Sequence, residues 1–247
     1  MGFSPLDARL RGGALRAADR VLVPGTFTAG LLDDGWGVRP EHMVNVPYGA
    51  EPRRRQQLPP MLNTTAATLL TVARLVPRKG IDTVIAALKT LPLEVTYRVV
   101  GRGPDEPRLR ALAQSAGVAD RVQFLGRLDD ASLADEYRRC SLFVLPARRT
   151  ADGDLEGYGL VYFEAAAWGR PVVAGRSGGE IDAVVDGQTG VLVDGASVSQ
   201  LAATLGDLLT DPDRRARLGA AGRARVESTH NWTAAAAVVD AALRGLV

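Results

Sequence analysis

The chain has 247 residues, 46% of them hydrophobic and 23% charged, and its 30 Lys and Arg residues against 28 Asp and Glu residues leave a formal net charge of only +2. So small an excess does not favour nucleic acid as a partner, and the single cysteine, Cys140, excludes an internal disulfide and a cysteine-rich metal site. There is no run of about eighteen apolar residues and no signal segment at Met1, so we expect a cytoplasmic protein that makes at most peripheral contact with a membrane.

The first fifty residues resemble the end of another domain. Their patterns predict helices at 9–19 and 26–33 and short strands at 20–24 and 43–49. Two strands cannot form an independent core, and the Pro- and Arg-rich stretch 52–60 is typical of an exposed linker. We therefore predict that residues 1–56 are a remnant of an amino-terminal domain plus a linker.

From residue 68 onward, short apolar runs rich in β-branched residues alternate with helical patterns. Strands are predicted at 68–73, 95–100, 122–125, 142–145, 172–174 and 191–193, and helices at 81–91, 107–115, 133–139, 158–168, 180–185, 198–209, 213–226 and 232–246. This alternation is typical of a parallel sheet with helices on both faces. The sequence predicts an α/β fold, a doubly wound Rossmann-like domain at 57–230, and a crossover helix in 231–247.

Ligands of such sheets bind at the carboxyl ends of the strands, so we expect the functional residues in the loops that follow the strands. The loop after the first strand of the sheet carries Arg74, Arg78 and Lys79, cations suited to a diphosphate, although loop cations are often only solvated. After the second strand, Gly101 begins a Gly-x-Gly turn that we place near the ligand. After the third, Arg127 lies either beneath a nucleobase or in a plain strand-exit turn.

The stretch 147–175 carries the most informative pattern. A polar loop ends at Glu156, and Glu164 lies within the apolar helix predicted at 158–168. If that helix began as early as Glu156, the two acids would be roughly 12 Å apart along its axis, beyond the roughly 5 to 9.5 Å of a glycosidase pair. That spacing suits a sugar and a ribose with a diphosphate between them. Alternatively, Glu156 is a first-turn acid favoured by the helix dipole and Glu164 a surface residue.

The free amides at the start of that helix form the middle of the predicted site. Amides of Tyr158, Gly159, Leu160 and Val161, at the positive end of the helix dipole, are suited to a phosphate. The turn Gly178-Gly179-Glu180 is a weaker candidate, with free amides that could approach a sugar.

Other polar residues give weaker signals. Asp152 and Asp154 match an Asp-x-Asp metal motif, but the surrounding loop is polar throughout, and we predict no metal site. His42 and His230 lack companion ligands, and Cys140 lies among apolar residues, where a free thiol is normally part of the core. These residues form no nucleophilic triad.

The motifs, taken in order, resemble a known family. They are Arg74-Leu-Val-Pro-Arg-Lys-Gly80, the Val-Gly-x-Gly turn at 100–103, Phe124-Leu-Gly126, Glu156-x7-Glu164, Ala167-Trp-Gly-Arg-Pro-Val-Val173 and Gly178-Gly-Glu180. From about Ala18 to the end, the chain is similar to the carboxyl-terminal, donor-binding half of retaining, nucleotide-sugar-dependent glycosyltransferases of the two-Rossmann-domain (GT-B) type, family four or group one. Within that family it looks closest to bacterial GDP-mannose-dependent mannosyltransferases of the phosphatidylinositol-mannoside type.

The resemblance implies a role for each matched residue. Arg74 and Lys79 bind the diphosphate and stabilise the charge that develops as it leaves, and Glu156 holds the sugar hydroxyls. The predicted donor-binding residues are Glu164, which accepts from the ribose, together with Gly157, Tyr158, Gly159, Leu160, Val161, Gly101 and Arg127. The implied substrate is a GDP- or UDP-linked sugar, transferred with retention by front-face attack, without a metal or other cofactor.

The chain departs from the family pattern at its amino-terminal end. Family members carry an amino-terminal Rossmann domain that binds the acceptor, and here only its last elements, up to about Gly49, are recognised. We therefore expect little activity from this chain alone. Its partners would be a nucleotide sugar, an acceptor that is a lipid, glycan or small molecule, and an amino-terminal half or a second copy.

Two alternatives to the enzyme remain at this point. In the first, the chain is a non-catalytic nucleotide-sugar-binding or interaction module, with apolar surface at Val21, Leu22, Leu31 and the last helix available for dimerisation. In the second, it is a related two-domain fold with epimerase or phosphorylase chemistry. The acidic and histidine set of an epimerase and the cofactor lysine of a phosphorylase are not evident, so Glu156 with Glu164 favours the transferase or the binding module.

Overall fold

The fold is built on a six-stranded, all-parallel sheet. The computed structural model describes residues 5–52, 67–92 and 94–245, and their side chains from Leu10 onward. The sheet strands are β3 Thr68–Val72, β4 Thr96–Val100, β5 Val122–Gly126, β6 Leu142–Leu145, β7 Val172–Ala174 and β8 Gly190–Leu192. Their spatial order is β5-β4-β3-β6-β7-β8. The helices that cover them are α3 Ile81–Ala87, α4 Glu106–Ser115, α5 Asp130–Arg139, α6 Leu160–Ala167, α7 Glu180–Ala183, α8 Val198–Thr210 and α9 Pro212–Ser228.

The sheet has a separate hydrophobic core on each face. Successive residues of a strand point to opposite faces: Leu69 packs into the core with α3, α4 and α8, and Leu70 into the one with α5, α6 and α9. All four residues of the central strand β6 are buried. A strand that is buried on both faces needs an unbroken apolar run. The sequences of these strands are therefore rich in Leu, Val and Phe and do not alternate between apolar and polar residues.

The predicted α/β class, its parallel sheet and the order of its elements are confirmed, with local differences at element ends. The strand predicted at 191–193 lies at Gly190–Leu192, and the helix predicted from 133 begins at Asp130 because Asp129 accepts from the Ser132 amide at 2.7 Å. The helix predicted at 158–168 begins only at Leu160. Most of the predicted linker at 52–60 lies outside the described residues, and the domain boundaries at 56 and 230 stay predictions.

Residues 5–45 form a smaller unit beside the sheet. It comprises α1 Pro5–Ala17, β1 Val21–Val23, α2 Thr26–Trp36 and β2 Met43–Asn45, and β1 pairs with β2 in parallel. Val21, Val23 and Val38 form its core, so the expectation that Val21 is exposed was wrong; the strand alternates, and only Leu22 faces outward. Leu31 is exposed as predicted.

The segment after β2 and the start of the last helix, α10 Trp232–Arg244, meet beside the sheet. The Ala50 amide donates to the His230 carbonyl at 3.1 Å, and the rings of Tyr48 and Trp232 lie 6.0 Å apart. The Tyr158 hydroxyl donates to the Tyr48 carbonyl at 2.7 Å. These contacts fix residues 48–50 against the helices of the sheet. The helices in the described ranges include no apolar segment of membrane-spanning length.

Candidate functional site

A cavity of about 490 Å³ opens where β3, β4 and β5 end. Four residues proposed from sequence line it: Arg74, Gly101, Arg127 and Val161. The remaining lining residues are Val72, Ala73, Val100, Arg102 and Leu128. The chain therefore places Arg74, Arg102 and Arg127 around one concave site at the edge of the sheet where ligands of doubly wound folds bind.

Backbone hydrogen bonds lock the loops of this cavity to one another. The Ala73 amide donates to the Val100 carbonyl at 3.0 Å, the Leu75 amide to the Arg102 carbonyl at 3.1 Å, and the Gly101 amide to the Gly126 carbonyl at 2.7 Å. Gly101 has a φ of 125°, and a Cβ there would lie 1.9 Å from the Ala73 carbonyl oxygen. Only glycine fits that position. The close backbone packing therefore accounts for this glycine of the Gly-x-Gly turn, and no dinucleotide-binding motif is needed to explain it.

The predicted catalytic residues Lys79 and Glu156 are in direct contact. Lys79 Nζ donates to Glu156 Oε2, and both side chains are buried. Arg78, another of the three loop cations noted in the sequence, also donates to Glu156 Oε2 at 3.0 Å and pairs with Asp154 at 3.2 Å. In the site as it stands, the Glu156 carboxylate therefore partly neutralises two of the three loop cations, whereas Arg74 is exposed on the cavity wall.

The start of α6 differs from the prediction for a steric reason. Gly159 has a φ of 80° and caps the helix, and a Cβ there would lie 2.3 Å from the Tyr162 ring. Helical geometry therefore begins at Leu160, and Glu156 lies in the preceding loop. The estimate of roughly 12 Å between Glu156 and Glu164 assumed a helix from Glu156, and was wrong in that premise.

Within the described part of the chain, the amides of residues 157–161 have no hydrogen-bond acceptor. The amides of Leu160 and Val161 open the first turn of α6, where the helix dipole favours an anion. Tyr158, proposed as donor-binding, is buried with its ring 5.4 Å from that of Phe163 and its hydroxyl engaged. Burial also raises the pKa of Tyr158. Its side chain therefore has a packing role, and only its amide is available to a ligand.

Glu164 has a partner that the sequence did not reveal. The hydroxyl of the buried Tyr137, on α5, donates to Glu164 Oε2 at 2.6 Å. Both residues line a second cavity of about 270 Å³, together with Gly49, Ala50, Glu51, Asp130, Leu133, Ala134, Leu160 and Trp232. Glu164 is thus neither a solvated surface acid nor an unpaired buried one.

The turn at Gly178-Gly179-Glu180 supports the site rather than facing a ligand. The Gly178 amide donates to Glu180 Oε1 at 2.9 Å and the Gly179 amide to the Glu156 carbonyl at 2.8 Å, so the expectation of free amides was wrong. Glu180 is fully buried, and its burial, with a smaller contribution from Glu156, raises the pKa of this carboxyl. This turn fixes the backbone of Glu156 from behind.

The other polar candidates of the sequence are accounted for by local contacts. Asp154 pairs with Arg78, and Asp152 accepts from Thr150 Oγ1 at 2.5 Å. No group of three His, Cys, Asp or Glu residues in the described ranges is arranged to hold a metal ion. Cys140 is buried, and burial raises the pKa of its thiol to about 12, as expected for a core cysteine.

Curated proteins similar to the chain include two groups of glycosyltransferases. GDP-mannose-dependent alpha-(1-6)-phosphatidylinositol monomannoside mannosyltransferase of Mycobacterium tuberculosis is 42% identical over 182 residues, which are 72% of this chain and 47% of the relative. D-inositol 3-phosphate glycosyltransferase of Streptomyces scabiei is 34% identical over 250 residues, 92% of this chain and 54% of the relative. The chain spans about half the length of these curated relatives.

Solved structures confirm the fold. Sucrose-phosphate synthase from Thermosynechococcus elongatus superposes with a TM-score of 0.84 at 29% identity, covering 98% of this chain and 62% of that one. HepE of Anabaena, solved with UDP and glucose, gives a TM-score of 0.81 at 22% identity over 99% of this chain and 67% of that one. These neighbours have the GT-B fold that the motifs indicated.

A protein-family model makes the relationship specific. The model described as "Glycosyl transferases group 1" matches residues 53–225, which is more than half of the chain and includes all the motif residues from Arg74 to Glu180. The resemblance read from the sequence is confirmed: the chain belongs to the group 1 glycosyl transferase family.

Proposed function

We propose that this chain is the donor-binding half of a retaining glycosyltransferase that transfers a hexose, mannose in the favoured case, from a GDP- or UDP-linked sugar to an acceptor. One observation carries the proposal. Between Glu156, held by Lys79, and Glu164, held by Tyr137, lie the acceptor-free amides that open α6. This arrangement offers a hydroxyl-binding acid at each end and an anion site in the middle.

The cations and amides form the diphosphate site in this proposal. Arg74 on the cavity wall and Lys79 contact the phosphates, with the amides of Leu160 and Val161 directed at the same charge. Fixed donors aimed at charge that develops during reaction are usually the largest electrostatic contribution to catalysis. Because Lys79 already contacts Glu156, donor binding places this ammonium between a phosphate and a carboxylate.

The two acids take the two ends of the donor. Glu164 keeps one oxygen on Tyr137 and accepts from the ribose hydroxyls, and Glu156 accepts from the hydroxyls of the sugar. In the proposed transfer, the bond between the sugar C1 and the phosphate oxygen breaks while a bond to the acceptor oxygen forms on the same face. The acceptor proton passes to the departing phosphate, so that charge and configuration are conserved. No metal or other cofactor takes part in this scheme.

The acceptor and the cell compartment belong to the proposal as well. The mannosyltransferase relatives are named for a phosphatidylinositol monomannoside acceptor, which favours a lipid reached by peripheral membrane contact from the cytoplasm. A glycan or small-molecule acceptor is the other possibility. We propose that the described residues bind the donor on their own but transfer sugar slowly until an amino-terminal domain supplies the acceptor site.

The proposal is tested by separating donor binding from transfer. The purified chain is incubated with GDP-mannose and, separately, UDP-glucose, with methanol as a minimal acceptor, because a methyl glycoside keeps its configuration whereas a free sugar equilibrates between its anomers. Nucleotide release and the configuration of the glycoside are followed by NMR. We expect saturable binding of one donor, slow formation of a methyl glycoside with the configuration of the donor, and weakening of both effects in Lys79→Ala. A chain that binds neither donor, or that forms a glycoside of inverted configuration, contradicts the proposal.

A non-catalytic binding module is the second candidate, and one observation favours it. Leu22, Leu31, Trp232 and Leu243 are large hydrophobic side chains that are each between 41% and 59% exposed. If these surfaces join two copies, light scattering gives the mass of a dimer, and donor binding proceeds without release of nucleotide even when an acceptor-binding half is added.

A further inference from the structure

We propose that Arg102 and Arg127 read the nucleobase and make this site selective for guanine. The inference rests on the proposed function, because it concerns the same donor cavity. It goes beyond that function by naming the base and the two side chains that select it. Arg74, the third arginine of the cavity, is left for the diphosphate.

The first observation is that these arginines are not engaged elsewhere. In the described part of the chain, the guanidinium groups of Arg74, Arg102 and Arg127 make no hydrogen bond or ion pair. Neighbouring arginines behave differently and are paired with acids: Arg78, Arg98, Arg108, Arg110 and Arg148. Three unpaired cations around one cavity indicate a ligand rich in acceptors.

The second observation is that the two arginines come from adjacent strand ends. Val100 of β4 is paired with Gly126 of β5, and these residues immediately precede Gly101-Arg102 and Arg127. A Cβ placed on Gly126 would lie 3.5 Å from Arg102 Nε and 3.7 Å from one of its terminal nitrogens. The Arg102 guanidinium therefore lies against the residue that precedes Arg127.

The cavity around them is preorganised. The Arg102 carbonyl accepts from the Leu75 amide at 3.1 Å, and Leu75 is fully buried. Val72 and Leu128 add apolar surface to the same cavity, which suits the faces of a base. Its volume of about 490 Å³ is within the range of pockets that bind drug-sized ligands, roughly 300 to 1,000 Å³.

The chemistry of arginine decides between the bases. Guanine presents two neighbouring acceptors, O6 and N7, which match the two parallel N–H groups of a guanidinium. Adenine presents an N6 donor beside N7, which opposes an arginine, and uracil presents one carbonyl on the corresponding edge. Because no acid is among the residues that line this cavity, a pair of arginines there ranks the bases guanine, then uracil, then adenine.

The experiment compares nucleotides rather than measuring one affinity. Displacement of a fluorescent nucleotide gives the affinities of GDP, IDP, 7-deaza-GDP, UDP and ADP for the wild-type chain. IDP keeps O6 and N7, so we expect it to bind like GDP, whereas 7-deaza-GDP lacks N7 and binds more weakly. A good bidentate pair gives about 5- to 100-fold discrimination, and we expect the ratio of GDP to ADP affinity within that range.

Substitutions then separate base reading from general charge. The double variant Arg102→Lys, Arg127→Lys keeps the charge but loses the planar fork, so the GDP to ADP ratio should fall toward unity while ADP affinity changes less than about threefold. Arg138→Ala, on the exposed face of α5 outside the cavity, is the control and keeps the ratio. The substituted side chains are exposed, so folding, checked by thermal unfolding, should be preserved.

Different failures have different meanings. Suppose that the wild-type chain binds GDP but the double lysine variant still prefers GDP to ADP, or loses affinity for all nucleotides equally. In either case Arg102 and Arg127 do not read guanine, whereas the proposed donor site is not contradicted. Strong discrimination between IDP and GDP also overturns it, because recognition would then depend on the N2 amino group. If no nucleotide binds to the wild-type chain, the proposed function itself fails.

Discussion

The hydroxyl of Tyr137 donates a 2.6 Å hydrogen bond to Oε2 of Glu164, linking α5 to α6 at the edge of the second cavity. Tyr137 is almost completely buried and its ring lies 5.9 Å from that of Phe143 in the core. A ring fixed in this way holds the Glu164 carboxylate in one orientation and leaves its other oxygen for a ligand. Preorganised acceptors of this kind distinguish a hydroxyl from its absence.

Tyr137→Phe should therefore weaken ribose recognition specifically. We expect the ratio of GDP to 2′-deoxy-GDP affinity to fall by about 3- to 10-fold, the size of one ordinary hydrogen bond. A merely structural role would weaken both nucleotides equally and leave the ratio unchanged. Tyr97→Phe is the matched control, because its hydroxyl also makes a buried hydrogen bond, to Thr71 at 2.7 Å, within the sheet.

Glu156→Gln should tighten binding of a nucleoside diphosphate while it abolishes sugar transfer. Glu156 contacts both Lys79 and Arg78, so removing its charge releases two cations for the phosphates. We expect GDP to bind about 2- to 10-fold more tightly, in line with charge-assisted hydrogen bonds of about 1.5 to 3 kcal/mol reduced by solvent screening. Calorimetric titration measures the change.

Asp154→Asn is the control for this variant, since Asp154 contacts Arg78 but not Lys79. Its side chain is largely exposed, and we expect a smaller gain in affinity from it. Weaker GDP binding by Glu156→Gln in a chain that still folds would contradict the view that this acid competes with phosphate for the cations.

His230 should make the stability of the chain fall in mild acid. Burial, with the neighbouring Arg225 guanidinium, lowers the pKa of His230 to about 4, and its ring stacks on Phe163 at 4.8 Å. The unfolded state, with an ordinary pKa of about 6.5, binds more protons between these values, so stability is complete above about pH 6.5 and is lost as pH falls toward 4.

The loss should be about 1 to 2 kcal/mol, because the ring is only half-buried and solvent screens part of the full shift. Urea unfolding at pH 7 and pH 4.5 measures it, and His230→Phe, which keeps an aromatic ring against Phe163, should reduce the difference between the two pH values. An unchanged difference in that variant would show that other groups are responsible.

Asp182→Ala should loosen the amino-terminal unit from the sheet. Asp182 of α7 accepts from Thr26 Oγ1 at 2.5 Å and from the Phe27 amide at 2.9 Å. It therefore caps the start of α2, because the N-cap residue Gly25 has no side chain to do so. Loss of a cap costs about 1 kcal/mol.

We expect faster hydrogen exchange in the amides of residues 26–36, with exchange in β3 and β6 unchanged. Asp207→Ala, at an exposed position of α8, is the control and should leave both regions as in the wild type. Equal exchange in α2 of both variants would indicate that the cap makes no contribution.

The sheet could be predicted from sequence because its strands are buried on both faces. The run Leu142–Leu145, for example, contains no polar residue, and Pro146 follows it directly. Such short apolar runs bounded by proline or glycine are typical of buried strands. Arg74, Lys79, Glu156 and Glu164 were found because charged residues at strand ends and inside an apolar helix have few structural explanations.

The partners of these residues could not be predicted in the same way. Lys79 and Glu156 are 77 residues apart in the chain, and Tyr137 and Glu164 are 27 apart on different helices. Such contacts depend on packing and not on local pattern. The helix predicted from residue 158 begins at Leu160 because Gly159 has a φ of 80°, at a position where a Cβ would clash with the Tyr162 ring. Arg102 occupied the unspecified position of a Gly-x-Gly turn.

Calorimetric titration of the chain with GDP, repeated on Glu164→Ala and Lys79→Ala, tests directly whether this site binds a donor. We expect saturable binding at one site, weakened in each variant by about 1 to 3 kcal/mol, the cost of losing a charge-assisted or buried hydrogen bond. Thermal unfolding shows whether each variant is folded. Absence of GDP binding to the folded wild-type chain, or equal affinity in all three proteins, would contradict a donor site at the carboxyl ends of these strands.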